Sequence, residues 1–243
     1  MKVNNVALSG SPSVTVETKL RTLLFQFTSA SSSFANFLTA YAACTVEVIK
    51  QTSNGSQQIL PVRNITDLME IAASDTGAIS AVTNGGGRIV TGSIELSDFG
   101  ALDLVGNDFY KVTVTGIPAG DTLDIYAEDS HINANGWHNV YETIFCNANA
   151  AKTINVLTSK LLALPVATLS KLELQYRNGR TIQFEIEEIK NQCREVNPEA
   201  VNENGTVTAG YVKWFVLNVA DVYSAKVTLS AAGTVIKKDY VQL

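Results

Sequence analysis

Hydrophobic and polar residues alternate with a period of two along most of the chain, and the alternating segments are rich in Val, Ile and Thr. This pattern is typical of half-buried β-strands. Asn-Gly pairs, which favour tight turns, punctuate it at 54–55, 178–179 and 204–205. The pattern predicts strands at 20–28, 44–51, 56–62, 88–97, 109–116, 121–128, 140–147, 169–177, 180–186, 208–218, 224–230 and 234–242.

Two short segments have helical spacing instead. Residues 64–74 begin with Asn64, a suitable N-cap, and carry Asp67 in the first turn, where the helix dipole favours negative charge. Residues 186–197 place apolar side chains every third or fourth position and stop before Pro198. The sequence therefore predicts two short helices in an otherwise all-β chain.

The uncharged segment 22–46 is long enough to span a bilayer. It contains the polar run TSASSS, Gln26, Asn36 and Thr39, which do not suit a lipid-facing helix. We interpret it as a strand, a loop of small residues and the start of a second strand.

The two halves of the chain resemble each other in the order of their segments. FYKVTVTGIPAGDTLDIYAE (109–128) and AKVTLSAAGTVIKKDYVQ (225–242) each predict a hairpin. The other matches are TLLFQFTSA with TIFCNANA, VEVIKQTSNGSQQILPV with KLELQYRNGRTIQFEI, GRIVTG (87–92) with GTVTAG (205–210), KVTV with KVTL, and Tyr126 with Tyr240. The matches predict a duplicated β-sandwich, although unrelated sandwiches also share such hairpin patterns.

The domain boundary is expected in the polar stretch EDSHINANGWHN. We predict a first domain at 1–130, with an N-terminal arm at about 1–18, and a second domain at 131–243, with a linker at about 129–139.

Charged residues make up 17% of the chain, below the usual value of about 25%. A surface with few charges suggests that much of it meets other protein, since charge keeps lone domains apart; a secreted or simply neutral protein is the alternative. The net charge is −5 and no Lys/Arg cluster occurs, so nucleic-acid binding is not expected.

The three cysteines are widely spaced and form no CxxC motif, so they predict neither a disulfide framework nor a zinc site. The N-terminal residues show no apolar signal segment, which leads us to expect folding in a reducing cytoplasm. Cys146 lies in a strand pattern and Cys193 on the inner side of a predicted helix, so both are expected in a core rather than as nucleophiles.

Other motifs for catalysis are missing from the sequence. His131 and His138 lie in the predicted linker and would need ligands from elsewhere to hold a metal. Neither HExxH nor GxSxG occurs. We therefore expect no enzyme, and assign no catalytic, cofactor-binding or metal-binding residue.

Acidic residues recur in two loop segments and could supply oxygen ligands to a structural calcium ion between subunits, but EF-hand spacing is missing. Solvated carboxylates are the simpler explanation. The two sets are Asp98, Asp103 and Asp108, and Asp121, Asp124 and Asp129.

A few further residues have mainly structural interpretations. TNGGGR (83–88) precedes a strand rather than a helix, so it predicts a loop apex and not a phosphate site. Trp214 is expected in the core of the second sandwich, and Trp137 between the two units. The glycosylation-type sequons at Asn54, Asn64 and Asn204 are taken as accidental.

The segments VIKQTSNGSQQILPVRNITDLMEIA and LQYRNGRTIQFEIEEIKNQCREV each contain a hairpin followed by a short helix. In this the chain resembles the double jelly-roll major capsid proteins of the PRD1–adenovirus lineage, and most closely those of small membrane-containing phages such as corticovirus PM2. The resemblance implies an all-β fold of two tandem eight-stranded jelly-roll β-sandwiches, each with one short helix. No long insertions separate the strands, so tall outer towers are not expected.

The same resemblance implies a homotrimer that forms a pseudo-hexameric capsomer and tiles an icosahedral shell around an internal membrane. Its expected partners are copies of itself, neighbouring capsomers, penton or minor capsid proteins and the membrane, with no cofactor and no direct contact with nucleic acid. The expected location is the virion, after synthesis in the host cytoplasm.

Two other classes remain open. A tandem β-sandwich that binds a receptor or carbohydrate, as in a spike or adhesin, would carry exposed aromatic residues on loops. A cupin-like enzyme needs several histidines converging on a metal, and this chain has two.

Overall fold

The computed structural model describes residues 1–75, 79–189 and 213–242. The chain divides into two compact units. The first contains Met1–Asn139 and the residues from Val241 onward, and the second contains the remaining described residues, from Val140 to Tyr240. The whole stretch predicted as a linker, about 129–139, thus falls within the first unit.

The first unit is a sandwich of two antiparallel four-stranded sheets, with strand orders β1-β7-β3-β4 and β5-β6-β2-β8. Its elements are β1 Ser13–Val16, β2 Thr22–Ser29, α1 Phe34–Ala40, β3 Thr45–Thr52, β4 Gly55–Asn64, α2 Ile65–Asp75, β5 Ser80–Asn84, β6 Gly87–Glu95, β7 Phe109–Thr115 and β8 Thr122–Glu128.

The N-terminal residues are part of this sandwich. Lys2 pairs with Tyr126, and Leu8 pairs with Leu123, so the segment 1–8 extends along the free edge of β8. Within the predicted N-terminal arm, the backbone of these residues is thus hydrogen-bonded to the sheet. We count the segment 1–8 as the first strand and leave β5 out of the count, so that β1 is the second strand and β8 the eighth. One sheet then has the order first, eighth, third, sixth, with β5 added at its edge, and the other has the order second, seventh, fourth, fifth. This is the jelly-roll order.

The described strands of the second unit have the same order. Its sheets are β14-β11-β16-β9 and β10-β15-β12-β13, which are again the strands first, eighth, third and sixth, and second, seventh, fourth and fifth. The elements are β9 Trp137–Cys146, β10 Ala151–Asn155, β11 Ser159–Pro165, β12 Leu169–Tyr176, β13 Thr181–Phe184, β14 Trp214–Asn218, β15 Val222–Leu229 and β16 Gly233–Gln242. The first three residues of β9 and the last two of β16 are counted with the first unit. The predicted fold class, all-β with two tandem jelly-roll sandwiches, is confirmed.

Alternation along the strands builds each core. In the first unit, alternate residues of β2 and its neighbours are fully buried, as at Phe25, Phe27 and Leu123. In the second, Leu162, Leu172 and Val227 belong to a cluster that includes the predicted core residue Cys146.

The helices agree with the sequence in part. α2 begins next to Asn64, whose side chain accepts a hydrogen bond from the Asp67 amide at 3.0 Å, so the predicted N-cap is confirmed. A helical turn at 186–189 follows β13 as α2 follows β4, while the rest of the predicted helix at 186–197, with Cys193, lies outside the described residues. The first unit holds a second helix, α1, within the segment predicted as a loop.

The N-cap of α1 is Ser33, whose hydroxyl accepts from the Asn36 amide at 3.1 Å. The Phe37 ring stacks on Tyr41 at 4.3 Å and lies 5.5 Å from Phe27. Aromatic burial against β2 therefore stabilises a helix of seven residues that would not form alone. The expectation of one helix per unit is wrong for the first unit.

Several of the predicted internal matches are confirmed by strand order. The β3–β4 hairpin corresponds to β12–β13, β7 to β15, and β8 to β16. The match of TLLFQFTSA to TIFCNANA is wrong, because β2 is third in its unit, where β11 is its counterpart, whereas TIFCNANA overlaps the end of β9. GTVTAG lies outside the described residues.

The connection from β7 to β8 is not a hairpin, in contrast to the prediction. β7 pairs with β1 and β3, while β8 pairs with β2 in the other sheet, so the chain crosses between sheets at the Pro-Ala-Gly turn. The same crossing joins β15 to β16.

Trp214 is 4% exposed and belongs to the buried apolar residues of the chain, so its expected burial in a core is confirmed. Every residue of the segment WFVL is apolar and buried, so alternation gives no indication of which face points inward. Within the described ranges, no helix has the length and apolar character needed to cross a membrane.

Candidate functional site

An exposed apolar patch lies where the loop after β6 meets the segment before β9. Phe99, Ile132 and Trp137 are 44%, 67% and 37% exposed, and we call these three residues the Phe99 patch. The rings of Phe99 and Trp137 lie 5.9 Å apart. Large exposed apolar side chains that lie together commonly mark interaction sites.

Backbone contacts hold the two segments of the patch together. The Ala101 amide donates to the Ile132 carbonyl at 2.8 Å, and a Cβ at Gly100 would lie 2.3 Å from that same oxygen. Gly100 also has φ +142°, so glycine is required on both counts. The Ser97 hydroxyl donates to the Trp137 carbonyl at 2.7 Å. These contacts hold the backbone of Ile132 and Trp137 beside the loop that carries Phe99.

A second feature is a group of three carboxylates, which we call the acidic cluster. It consists of Asp75 at the end of α2, Glu95 at the end of β6, and Asp98 in the following loop, and their oxygen atoms lie within 4.8 Å of one another. Glu95 is buried, and the other two are partly buried. Among the described residues, this is the group of acidic, His or Cys side chains with a spacing suited to a metal ion.

Asn139 lies against the acidic cluster. Its side chain is fully buried, and its Nδ2 donates to Asp98 Oδ1 at 2.7 Å and to the Glu95 carbonyl at 3.0 Å. Its Oδ1 is buried without a hydrogen-bond partner. On the other side, the Arg21 guanidinium lies 3.7 Å from Glu95 Oε1.

An open cavity lies beside Glu95. The cavity has a volume of about 840 Å³, and Arg21 and Glu95 are among its lining residues, together with Leu24 and Tyr126 from the outward face of β2 and β8.

The two histidines are not brought together with a metal-ligating group in the described part of the chain. His131 is exposed. His138 is buried, and burial lowers its pKa. The backbone groups of Gly136 and Val241 raise the pKa by a smaller amount. Its Nδ1 has no hydrogen-bond partner.

The described cysteines are buried thiols. Cys44 is fully buried, and burial raises its pKa to about 12. Burial also raises the pKa of Cys146, against a smaller opposing effect of Lys152. A thiol with a raised pKa is a poor nucleophile at neutral pH.

The two acidic sets predicted as calcium candidates are not assembled as sets. Asp103 pairs with Lys19 at 2.7 Å, Asp108 lies 3.7 Å from Lys50, and Asp98 alone joins the acidic cluster.

In the second set, Asp124 pairs with Lys2 at 2.8 Å, and Asp129 is exposed. Asp121 is buried, and its carboxylate accepts from the Ser29 hydroxyl at 2.6 Å, the Tyr41 hydroxyl at 3.0 Å and the Ala30 amide at 2.8 Å. It anchors the chain between β2 and α1, so its role here is structural.

Other predicted features have structural roles. The glycines of TNGGGR form the turn between β5 and β6, which confirms a loop apex. Asn54 lies in the exposed β3–β4 turn, Asn64 caps α2, and Asn204 lies outside the described residues. Trp137 packs on Phe99 and is 37% exposed, and its expected position between the two units stays a prediction.

Sequence reasoning missed Asp75, Glu95 and Asn139 as members of a site. They come from a helix end, a strand end and the start of β9, and no local motif connects them. Only the strand order brings them together.

Comparisons with known proteins give little further information. No protein-family model matches the chain, and no curated protein matches it. Among solved structures, the crystal structure of the PBSX exported protein XepA is similar over 99% of this chain and 86% of its own, at 11% identity and a TM-score of 0.22. A likeness this weak supports neither a family nor a function.

Proposed function

We propose that the chain is a double jelly-roll major capsid protein of the PRD1–adenovirus type, which forms a homotrimeric, pseudo-hexameric capsomer and tiles an icosahedral shell around an internal membrane. The observation that carries the proposal is the strand order. Both units contain the same eight-strand jelly-roll arrangement, with a helical segment after the fifth strand of each.

Two similar units in one chain allow a trimer to have nearly sixfold geometry. Closed oligomers are built by rotational symmetry, and three copies of a chain with two similar units form a ring of six similar corners. Such a ring can occupy a hexagonal position in a shell. A chain with a single jelly roll would need six copies to do the same.

The surface composition supports assembly. Charged residues are only 17% of the chain, and the Phe99 patch offers apolar side chains to a neighbour. Depletion of charge and enrichment of aromatic residues are characteristic of the buried centre of protein interfaces. In this proposal the partners are copies of the chain, neighbouring capsomers, penton or minor capsid proteins and the membrane, and the protein is located in the virion and has no enzymatic role.

The test is the mass and outline of the purified chain. Size-exclusion chromatography with light scattering should give a mass close to three times 26.1 kDa, and negative-stain images should show particles with a hexagonal outline. A monomer at micromolar concentration, or a trimer with three well-separated lobes, would contradict the proposal.

A second candidate is a receptor- or carbohydrate-binding protein of the spike or adhesin type. It is favoured by the adjacent exposed rings of Phe99 and Trp137, since sugars stack on such rings. A glycan array separates the two: selective glycan binding that is lost in Trp137→Ala, by a chain that stays monomeric, supports this candidate instead.

A further inference from the structure

We propose that the open cavity on the outward face of the strands β6, β2 and β8 binds a neutral sugar, with Arg21 and the carboxylates around it as the hydrogen-bonding groups. The residues that line the cavity all belong to the first unit, so the site does not depend on whether the chain forms a capsid.

The floor of the cavity is set by the register of these three strands. It consists of two rows of residues that lie opposite each other across the strands and share the outward face of the sheet. The rows are Glu95, Thr22 and Glu128, and Ser93, Leu24 and Tyr126. They are about 7 Å apart along the strands. One row therefore offers carboxylates and a hydroxyl, and the next offers an aliphatic side chain beside an aromatic ring.

Arg21 supplies hydrogen-bond donors at the end of this floor. Its amide donates to the Glu128 carbonyl at 2.9 Å, and its carbonyl accepts from the Leu96 amide at 2.8 Å, so its backbone is fixed. Its guanidinium lies 3.7 Å from Glu95 Oε1, which is longer than a hydrogen bond. Among the described residues, its buried Nε has no hydrogen-bond partner. A guanidinium carries five N–H donors, so this one can donate to a ligand oxygen in the cavity that it lines.

The charges around the cavity select for a neutral ligand. Arg21 carries one formal positive charge, while Glu95, Glu128 and Asp129 carry three negative charges. The carboxylates would repel an anionic ligand, and a cationic ligand would be repelled by Arg21 and could use none of its donors. A hydroxyl group both donates and accepts, so a polyol can bond to the carboxylates and the guanidinium together without adding charge.

Leu24 and Tyr126 provide the apolar part of the site. The Lys2 ammonium lies 5.9 Å from the centre of the Tyr126 ring and pairs with Asp124 at 2.8 Å, which helps to hold the ring in place. The C–H groups on the face of a sugar ring can pack against such a surface while its hydroxyl groups reach the polar row. The cavity volume of about 840 Å³ lies within the range of about 300–1,000 Å³ of small-molecule sites, so a short oligosaccharide fits.

The experiment is saturation-transfer-difference NMR of the full-length chain with the neutral disaccharides maltose, lactose and chitobiose at millimolar concentration. An array of neutral glycans extends the search to longer sugars, and titration calorimetry measures the affinity of those that bind. We expect at least one neutral sugar to bind, and to bind more tightly than the charged probes sialyllactose and spermidine.

Arg21→Gln and Glu128→Gln should each weaken sugar binding at least tenfold, since each removes a charged hydrogen-bonding group from the cavity. Arg180→Gln is the matched control, because Arg180 is exposed in the second unit, and it should bind within twofold of the unaltered chain. Circular dichroism checks that each variant is folded. If Arg21→Gln fails to fold, Glu128→Gln, at an exposed strand end, decides the question.

Absence of binding by every neutral sugar would overturn the proposal, as would tighter binding of either charged probe or undiminished binding by the two cavity variants. Loss of binding in Trp137→Ala, with full binding by Arg21→Gln, would place the sugar on the Phe99 patch and also overturn it. The capsid proposal is tested by oligomer mass and particle outline, so the two can fail separately.

Discussion

At the residue scale, the clearest structural role belongs to Asp121. Its buried carboxylate accepts hydrogen bonds from Ser29, Ala30 and Tyr41, and so fixes the β2–α1 connection to the start of β8. Hydrogen bonds to a charged acceptor are worth about 1.5–3 kcal/mol each, and buried donors left without a partner carry a penalty. The network also explains why the pKa of Tyr41 is raised, first by burial and then by the adjacent Asp121.

We predict that Asp121→Ala lowers the free energy of unfolding of the first unit by about 3 kcal/mol or more, because it leaves buried donors unsatisfied. Tyr41→Phe, which removes one of the donors, should cost about 1–2 kcal/mol. Urea denaturation followed by circular dichroism measures both. Asp129→Ala is the control, since its exposed carboxylate accepts a local hydrogen bond from the Ser130 amide at 2.6 Å and its loss should change stability by less than about 0.5 kcal/mol. Equal effects at both positions would contradict the anchoring role.

The sequence could not distinguish these aspartates. Asp121, Asp124 and Asp129 lie in one short segment, and all three were interpreted as solvated loop residues or calcium ligands. One is buried, one is paired with Lys2, and one is exposed, and the difference depends on partners distant in the chain. Asn64, in contrast, was predicted correctly because a helix cap is a local feature.

At the element scale, α2 packs on β6 at very close range. A Cβ on Gly92 of β6 would lie 2.2 Å from Met69 Cε and 3.2 Å from its Cγ. Met69 is buried at 1% exposure, so its side chain has little room to move. The backbone conformation of Gly92 does not require glycine. Glycine is needed at this strand position because it leaves room for the helix to lie against the sheet.

We predict that Gly92→Ala destabilises the first unit by about 1–3 kcal/mol, as expected for overpacking a core. In a Met69→Ala background the same change should cost less than about 0.5 kcal/mol, because the clashing atoms are gone, so a double-mutant cycle measures the coupling. Gly86→Ala is the control, since nothing lies within 4 Å of a Cβ at that turn position. A cost for Gly92→Ala that is the same with and without Met69 would contradict this packing.

The elements found from the sequence are the ones with a clear period. β3, β4, β12 and β13 alternate and flank Asn-Gly turns, and all were predicted. β1, β5 and β10 were missed, since four or five residues give too few positions to establish a period; β13 is equally short but was found through the Asn-Gly turn of its hairpin with β12. β11 was missed for a different reason. In SKLLALP both the odd and the even positions carry apolar residues, and four consecutive residues are buried, so no alternation is visible.

At the scale of the whole molecule, the sequence showed that a unit is duplicated but not which strands of the two copies correspond. Matching hairpins at β3–β4 and β12–β13 identified two copies, whereas β2 was matched to the wrong strand of the second unit. The extra helix α1 and the added strand β5 lengthen the first unit and break the correspondence in sequence. Strand order restores it, since each unit pairs its first strand with its eighth.

The Phe99 patch provides the test of assembly at this scale. If it lies in an interface between copies of the chain, a buried unpaired charge there should be costly, by several kcal/mol per interface. We predict that Ile132→Asp shifts the trimer toward monomer by at least tenfold in dissociation constant, measured by light scattering across a dilution series. Its exposed side chain makes the change tolerable within the folded unit itself.

Val82→Asp is the matched control, because Val82 is 54% exposed on β5, compared with 67% for Ile132, and lies outside the patch. It should leave the trimer intact if assembly depends on the Phe99 patch rather than on low surface charge in general. Weakening by both substitutions would indicate broad contacts over the whole flank. No weakening by Ile132→Asp, with trimers present, would place the interface elsewhere and leave the adjacent rings of Phe99 and Trp137 to be explained by a ligand, the outcome that favours the carbohydrate-binding candidate.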